Sequence, residues 1–146
     1  MAINILDYNH KMPKENKDYY IVVIINDLKD LMTDKNSKEI ESSIINLLQN
    51  GKAVGIHLIL ATKTPAEQVI PFDIRANIPS RLAFKLKSAE ESDLILDCAG
   101  AEKLTGNGDM LFLPLFEQKP VHIQSAYVSS NEVENVMDFI SKQEYN

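Results

Sequence analysis

Two polar segments of this 146-residue chain have residue types and a spacing suited to nucleotide chemistry. The first is Asn26-Asp27, which directly follows the apolar run from Ile21 to Ile25. An apolar strand that ends in acidic residues is where nucleotide motors hold the magnesium shell and the residue that activates water. An Asn-Asp pair also begins many ordinary turns, so this segment alone is compatible with both interpretations.

The second segment is Thr62-Lys63-Thr64, at the end of the apolar run from Gly55 to Ala61. Ligands commonly bind outside the carboxyl ends of parallel strands, so two neighbouring strands would present both polar segments at one edge of a sheet. This convergence favours a site, although Thr-Lys-Thr-Pro is also typical of a plain turn.

A phosphate-binding loop is absent from these 146 residues. Such a loop needs the pattern G-x-x-x-x-G-K-[ST], in which successive backbone N–H groups surround the phosphates. None of the five glycines begins or completes that pattern, and the nearest candidate, Gly51-Lys52-Ala53, has Ala where the magnesium-binding hydroxyl would stand. We therefore expect no unaided ATP hydrolysis and no cofactor held by this segment on its own.

Other side chains give weak signals. His57 lies within an apolar run and is expected in the core, whereas His10 and His122 lie far in sequence from a suitable partner. Cys98 has no basic neighbour before Lys103, which predicts an inert thiol. A single cysteine excludes an intrachain disulfide and a cysteine-pair metal site, and it favours a reducing, cytoplasmic compartment. No metal site is predicted.

Composition indicates one globular domain. The chain is 45% hydrophobic and 25% charged, as is ordinary for a folded protein. Its formal net charge of −6 argues against an independent grip on DNA, which is bound through Lys and Arg. No apolar run approaches the roughly 20 residues that span a bilayer, so no membrane contact is expected.

The apolar patterns predict an α/β domain with a mostly parallel sheet. The β-branched residues of the first run predict a strand that is buried on both faces. The predicted strands are 20–25, 55–61, 81–86, 110–113 and 121–128. The predicted helices are one from N-cap Ser37 to Gly51, a weak one around Ile74, Glu90 to Leu96 with Ser88 as N-cap, one turn at Ala101 to Leu104, and a final helix with Ser130 as N-cap.

Three longer segments carry a resemblance to a known family. Leu48 to Thr62 resembles the stretch Q-x-G-R-A-x-G-I-H-L-x-L-A-T of the FtsK/SpoIIIE DNA translocases, and Ala76 to Phe84 also resembles that family. Gly100 to Pro114 resembles its stretch G-A-E-K-L-x-G-x-G-D-M-L-F-L-P, and the match runs from about Tyr20 to Ile140.

The resemblance implies a three-layer RecA-like fold of the P-loop NTPase type, truncated at its N-terminal half, where the phosphate-binding loop would lie. Residues 1–18 are then an N-terminal extension or loop, and residues 19–146 are a partial motor domain. The family's motor forms a hexameric ring around duplex DNA, with ATP between subunits. ATP, magnesium and duplex DNA are therefore expected only in a ring. The expected partners are full-length motor subunits or further copies of this chain.

By the same resemblance, Ile21 to Asp27 corresponds to the Walker B strand. Asn26 then stands at the magnesium position and Asp27 at the position of the base, where the family usually has Asp-Glu. Asn26 lacks the negative charge that helps to hold hydrated magnesium. Asp27 is one methylene shorter than Glu, and misplacing a catalytic group by about 1 Å can cost on the order of 100-fold in rate.

Two further positions depart from the family's pattern. Thr62, Lys63 and Thr64 correspond to a sensor-like strand end that would contact the cofactor, but the family's Gln and Arg are replaced. Asp93 stands where the family usually places a trans-acting Arg, a residue that can contribute about 10³–10⁵ in rate.

The leading hypothesis is therefore a degenerate motor fragment that lacks ATPase activity on its own and acts by protein interaction, if at all. The alternative is an ATP-dependent translocase subunit that is completed by a separate chain or a mixed ring. A folded remnant without function is the third hypothesis.

The family's sheet places the phosphate-loop strand between the strands 55–61 and 81–86. Without that strand, those two strands could pair directly, or the gap could be filled by Ile3 to Leu6 or by another chain, and we expect direct pairing or a dimer.

Overall fold

The computed structural model describes residues 2–143, which form five strands and six α-helices. The strands are β1 (Ile21–Ile25), β2 (Ile56–Leu60), β3 (Arg81–Phe84), β4 (Asp109–Leu113) and β5 (Val121–Gln124). The helices are α1 (Ile5–Lys11), α2 (Leu28–Met32), α3 (Ser37–Asn50), α4 (Phe72–Ala76), α5 (Ala89–Leu96) and α6 (Ser130–Ser141). Residue 1 and residues 144–146, at the outer ends of the two predicted domain ranges, lie outside this description.

The strands form two sheets. β1 and β2 are parallel, with Ile21 opposite Ile56, and α3 lies between them in sequence. β3, β4 and β5 form an antiparallel sheet in that order. The sheet is thus less parallel than the sequence predicts. One reason is that the seven residues 114–120 between β4 and β5 are fewer than a parallel crossover requires.

β2 and β3 belong to different sheets, so the expected direct pairing of these two strands is wrong. The N-terminal segment does not lie between them either. Ile5 is a buried residue of α1, and its side chain packs against Gly55, at the start of β2. The dimer stays a prediction.

Two apolar clusters lie beneath the two sheets. The parallel pair packs its inner face on the first cluster through Ile25, Leu58 and Leu60. The buried members of the first cluster are Leu28, Met32, Ile44, Val69, Ile70 and Ile74. The buried members of the second cluster are Ala83, Leu96, Ala101, Leu104 and Leu113.

The outer face of the parallel pair is open, so the prediction that the first strand is buried on both faces is wrong. Val22 is 55% exposed, Ile24 is 67% exposed and Ile59 is 52% exposed. Alternate residues of a strand point to opposite faces, and between residues 2 and 143 only the inner face has a helical layer to pack on.

Helix ends differ in detail from the sequence prediction. Asn36, rather than Ser37, is the N-cap of α3, and it makes no side-chain capping bond. The predicted end of the helix at Gly51 is confirmed, since α3 ends at Asn50 with Gly51 as its C-cap. Gly51 has a right-handed φ of −62° and begins a short 3-10 turn. The turn ends at Gly55, whose φ of 82° is a left-handed conformation that favours glycine.

The caps of α5 and α6 give one confirmation and one correction. Ser88 accepts a hydrogen bond from the Glu91 backbone N–H, as predicted. For α6 the N-cap is Ser129 and not Ser130. Ser129 and Glu132 form a reciprocal capping box, which satisfies two N–H groups at the helix start.

From residue 2 to residue 143, the fold contains no helix that is both long and apolar enough to cross a bilayer.

Candidate functional site

Parallel pairing brings the carboxyl ends of β1 and β2 together. The Ala61 N–H donates to the Ile25 carbonyl at 2.9 Å, and the Leu28 N–H donates to the Ala61 carbonyl at 2.8 Å. The next side chains then meet, because Thr62 Oγ1 donates a hydrogen bond to Asp27 Oδ1 at 3.0 Å. The structure thus joins Asp27 of the first segment to Thr62 of the second segment.

Asp27 also has a structural role at this edge. It is the N-cap of α2, and its Oδ1 accepts a hydrogen bond from the Lys29 backbone N–H at 3.2 Å. Helix α2 was missed in the sequence because it spans only five residues. An Asp directly before Leu28 was the available signal, since Asp is a preferred N-cap residue. Asp27 therefore has the structural role at the start of a turn that the sequence also allowed. This capping role is compatible with a nucleotide site at the same edge.

Of the other three predicted site residues, Thr64 is hydrogen-bonded to the Asp27–Thr62 pair, whereas Asn26 and Lys63 face solvent. The Thr64 N–H donates to Thr62 Oγ1 at 3.1 Å, so the Thr62 hydroxyl links Thr64 to Asp27. Asn26 and Lys63 are exposed. The edge is therefore one hydrogen-bonded group, Asp27-Thr62-Thr64, flanked by two solvent-facing side chains.

These residues fit only a small part of a magnesium shell. Mg²⁺ binds octahedrally through oxygen ligands, usually one or two carboxylates together with water and substrate phosphates. The one carboxylate in the two segments is that of Asp27, and its Oδ1 already accepts two hydrogen bonds. Asn26 offers only a neutral amide oxygen. Across residues 2–143, no group of three or more His, Cys, Asp or Glu side chains is arranged to hold a metal.

A cleft with a volume of about 730 Å³ begins at this edge and runs between β2 and β3. Both walls are lined by consecutive residues, 58–63 on one side and 80–86 on the other. Consecutive lining residues show that each strand turns its edge, rather than one face, towards the cleft. Helical and loop residues form the floor, including Leu28, Ile70, Ile78 and Ile95.

The charged side chains that line the cleft are all basic: Lys63, Arg75, Arg81 and Lys85. Arg75 pairs with Glu67 at 2.9 Å, and Arg81 pairs with Asp97 at 2.6 Å. Arg75 Nε is buried and has no hydrogen-bond partner in the part of the chain that the structure describes. The cleft is therefore lined by basic side chains, two of which are paired with carboxylates, and it has an apolar floor.

A second polar cluster was not predicted from sequence. Asp109 is only 5% exposed, and its Oδ2 accepts hydrogen bonds from the Thr105 N–H at 2.8 Å and from Thr105 Oγ1 at 2.9 Å. His122 Nε2 contacts the other carboxylate oxygen. The Thr105 backbone hydrogen bond, followed by the His122 contact, lowers the pKa of Asp109 below its ordinary value. His122 lies 13 positions from Asp109 in sequence, and the β4–β5 pairing brings the two side chains together.

The contacts of His57 and Cys98 do not suggest a catalytic role for either residue. His57 is exposed and stacks on Tyr20 with ring centroids 5.9 Å apart, so its predicted core position is wrong. Burial, and then the nearby carboxylates of Asp93, Asp97 and Glu102, raise the pKa of the Cys98 thiol. A raised pKa lowers the thiolate fraction and agrees with the predicted inert thiol.

No family model matches the chain. Curated relatives are nevertheless similar to it over almost its entire length. The DNA translocase FtsK of Sporosarcina ureae is 50% identical over 149 residues, which covers 97% of this chain and 19% of that protein. The DNA translocase SpoIIIE of Bacillus subtilis strain 168 is 47% identical over 97% of this chain and 19% of that protein. The chain thus spans about a fifth of the length of the curated relatives it matches.

Two solved structures have a similar fold. The pCW3 conjugation coupling protein TcpA, in its monomer form with ATPγS, gives a TM-score of 0.79 at 26% identity and covers 95% of this chain and 42% of its own. The cytoplasmic domain of the type VII secretion ATPase EccC of Thermomonospora curvata gives a TM-score of 0.76 at 19% identity, covering 88% of this chain and 15% of its own. The predicted fold class, an α/β fold of the P-loop ATPase motor type, is confirmed.

Proposed function

We propose that this chain is a degenerate motor segment that does not hydrolyse ATP on its own and acts by protein interaction. The chain belongs to the FtsK/SpoIIIE family of DNA translocases, and it matches about a fifth of the length of the relatives. The observation that carries this proposal is the hydrogen bonding of the Asp27 carboxylate. It is the only carboxylate in the two polar segments, and its Oδ1 accepts hydrogen bonds from the Thr62 hydroxyl and from the Lys29 backbone N–H in α2.

The residues around Asp27 support the same conclusion. Asn26 adds no charge for a hydrated magnesium ion, and no glycine-rich phosphate loop occurs in these 146 residues. Asp93, at the position of the family's trans-acting Arg, is exposed on α5 and carries the opposite charge. Loss of such an Arg alone removes about 10³–10⁵ in rate.

The test is an ATPase assay on the purified 146-residue polypeptide, with Asp27→Ala as the variant and Asp30→Ala as the matched control. Asp30 is an exposed carboxylate in the first turn of the same helix. We expect no hydrolysis above background in any of the three proteins. A measurable rate that disappears in Asp27→Ala and persists in Asp30→Ala would contradict the proposal.

A second candidate function is favoured by the retained edge geometry. Asp27 and Thr62 still meet at the carboxyl ends of two parallel strands, beside an open basic cleft. In this alternative, the segment works in an ATP-dependent translocase when a phosphate-loop segment is supplied by another chain or by intact subunits in a mixed ring. ATP, magnesium and duplex DNA would bind only in that assembly.

Co-purification from the native cell tests this candidate. A tagged form of the 146-residue polypeptide should retain a protein with a G-x-x-x-x-G-K-[ST] motif, and the complex should hydrolyse ATP in a manner that depends on Asp27. Recovery of the polypeptide without such a partner counts against the second candidate and leaves the first.

DNA contact outside an assembly is not part of either function. The net charge of −6 opposes a grip on phosphates, so a gel-shift assay of the polypeptide with duplex DNA should give no salt-dependent complex. We further propose a cytoplasmic location, on the basis of the single cysteine.

A further inference from the structure

We infer that helix α6 of one copy of this chain docks on the outer face of β1 and β2 of a second copy, and that the exchange is reciprocal. The inference names a partner for the protein interaction proposed above, and it rests on that part of the proposed function. It is derived from two uncovered apolar surfaces of one chain and from the charges on them.

Helix α6 has an apolar stripe that its own chain leaves uncovered. Four residues at helical spacing form the stripe and are 40% to 59% exposed: Val133, Val136, Met137 and Ile140. Every residue of α6 is exposed, so between residues 2 and 143 the stripe packs on no other element. A helix of about 12 residues is marginal in water without tertiary packing. The helix therefore needs a surface that covers its stripe.

The outer face of β1 and β2 is a surface of matching character and length. Val22, Ile24 and Ile59 point away from the first core cluster, and each is more than half exposed. With 12 residues, α6 is about 18 Å long, and the five residues of β1 span about 17 Å. A helix that lies along the two strands would cover them from end to end. A helical layer on a sheet is a common way to bury the apolar side chains of both.

The charges of the two surfaces are opposite in sign. Helix α6 contains three acidic side chains and no basic one. Neither β1 nor β2 contains a carboxylate, and their only titratable side chain is His57, which is exposed and pairs in register with Val22. Lys52 lines a shallow pocket together with His57. An acidic amphipathic helix is thus matched by an apolar face that has basic groups beside it.

A second copy is the occupant that these observations favour. Both surfaces belong to one chain, and the fold of that chain leaves both uncovered. Two copies related by a two-fold axis can exchange α6, so that each helix covers the partner's sheet face and the assembly closes at two chains. Specific interfaces bury about 1,200–2,000 Å² in total, and the exchange supplies two helix-on-sheet contacts towards that area.

Two neighbouring positions of α6 test the role of the stripe. Sedimentation equilibrium of the 146-residue polypeptide should show a concentration-dependent dimer. Val136→Glu places a charge within the stripe and should weaken the dimer at least about tenfold, because docking would then bury an unpaired carboxylate. Asn135→Glu adds the same charge on the polar side of the helix and should have little effect. Both side chains are exposed in the single chain, so neither change disturbs its core.

A mixing experiment tests the pairing of helix with sheet. Ile24→Glu damages the outer face and leaves α6 intact, so it should weaken the dimer as Val136→Glu does. In a mixed pair of these two variants, the intact α6 of one chain meets the intact face of the other. The equimolar mixture should therefore associate more strongly than either variant alone. A contact of helix with helix would not recover in this way, because Ile24→Glu alone would leave such a contact intact.

The match of charges is tested at two lysines. Lys52→Glu puts a negative charge beside the outer face and should weaken the dimer by up to about fivefold. Lys38→Glu makes the same change on α3, which packs on the inner side of the sheet, and should have a smaller effect.

Four results would overturn the inference: a monomer at every concentration, equal effects of Val136→Glu and Asn135→Glu, no recovery in the mixture, or equal effects of the two lysine variants. A dimer that survives both Val136→Glu and Ile24→Glu would assign self-association to another surface. No nucleotide is present in these experiments. ATP hydrolysis by the polypeptide would contradict the proposed lack of activity and leave this contact unaffected, whereas a monomer would remove the contact and leave the lack of hydrolysis unaffected.

Discussion

At the scale of single residues, the hydrogen bond between Thr62 and Asp27 links the two polar segments across 35 positions of sequence. Thr62→Val removes the hydroxyl and keeps the shape of the side chain. Because Asp27 Oδ1 loses one donor in a half-buried position, the free energy of unfolding should fall by about 1 kcal/mol. Thr62→Ser keeps the hydroxyl and should stay near the parent. Urea denaturation with an unchanged m-value checks both variants.

Asp109 should make stability depend on pH in the acid range. Its pKa in the folded protein lies below the ordinary value of 3.8, because the Thr105 N–H and then His122 favour the carboxylate. The contribution of the Asp109 carboxylate to the free energy of unfolding is therefore complete above pH 3.8. It is lost as the pH falls through the lowered pKa of Asp109 in the folded protein. Asp109→Asn should flatten this part of the curve of unfolding free energy against pH. The exposed Asp138→Asn on α6 should not, and an identical acid loss in the Asp109 variant would refute this origin.

The two polar clusters differ in how far they could be predicted. Asp27 and Thr62 each follow an apolar run, and two parallel strands with a short helical crossover bring such ends together. The contact of Asp109 with His122 depends on the antiparallel register of β4 and β5, in which Leu111 lies opposite His122. That register cannot be read from residue types alone. The roles of Asn26, Asp27, Thr62, Lys63 and Thr64 towards a nucleotide stay predictions.

At the scale of elements, short apolar runs between turn residues predicted all five strands. Val and Ile mark β1, β2 and β5, whereas β3 and β4 are marked by Leu, Phe and Met. Their directions were not fixed by the runs, since orientation depends on link lengths and on packing. The open outer face of β1 was also unpredictable, because a run such as IVVII looks alike whether one face or two are covered. Helix starts were missed by one residue at Ser37 and Ser130, where neighbouring polar residues compete as caps.

The corrected cap of α6 can be tested with two neighbouring serines. Ser129→Ala removes the capping bond that its hydroxyl accepts from the Glu132 N–H, together with the bond that the hydroxyl donates to the Glu132 carboxylate. This change should destabilise the helix by about 1 kcal/mol. Ser130→Ala lies at the first helical position and should have little effect. Hydrogen exchange of the α6 amides measures the difference. Equal loss of protection in the two variants would contradict the assignment of Ser129 as the cap.

The packing of α3 can be tested within one helix. Ile44 is 4% exposed in the first core cluster, whereas Leu47 is 37% exposed. Ile44→Ala should lower the free energy of unfolding by about 2–5 kcal/mol, because it removes buried methyl groups and leaves a cavity. Leu47→Ala should cost clearly less, since its side chain already contacts water. Chemical denaturation of the two variants side by side gives the comparison, and equal losses would show that α3 does not pack as described.

At the scale of the whole molecule, two apolar cores lie on either side of a cleft whose walls are strand edges. The resemblance predicted that a strand position would be empty here, but it left the outcome open between direct pairing and a second chain. The local sequence could not decide between these outcomes, because the separation of two strands in different sheets depends on tertiary packing rather than on the residues of either strand. Within residues 2–143, one edge of β2 and the outer face of β1 and β2 are left uncovered.

We propose that this segment carries the edge of a motor site and cannot use ATP on its own. Steady-state ATP hydrolysis by the 146-residue polypeptide, with magnesium and duplex DNA present, tests it most directly. The same assay on the double variant Asn26→Asp and Asp27→Glu restores the family's usual pair of acidic residues. We expect background rates of hydrolysis for both proteins, because neither contains a phosphate loop. Hydrolysis by the parent polypeptide that is lost in Asp27→Ala would contradict the account, and hydrolysis by the restored variant alone would place the deficit in Asn26 and Asp27 rather than in the missing loop.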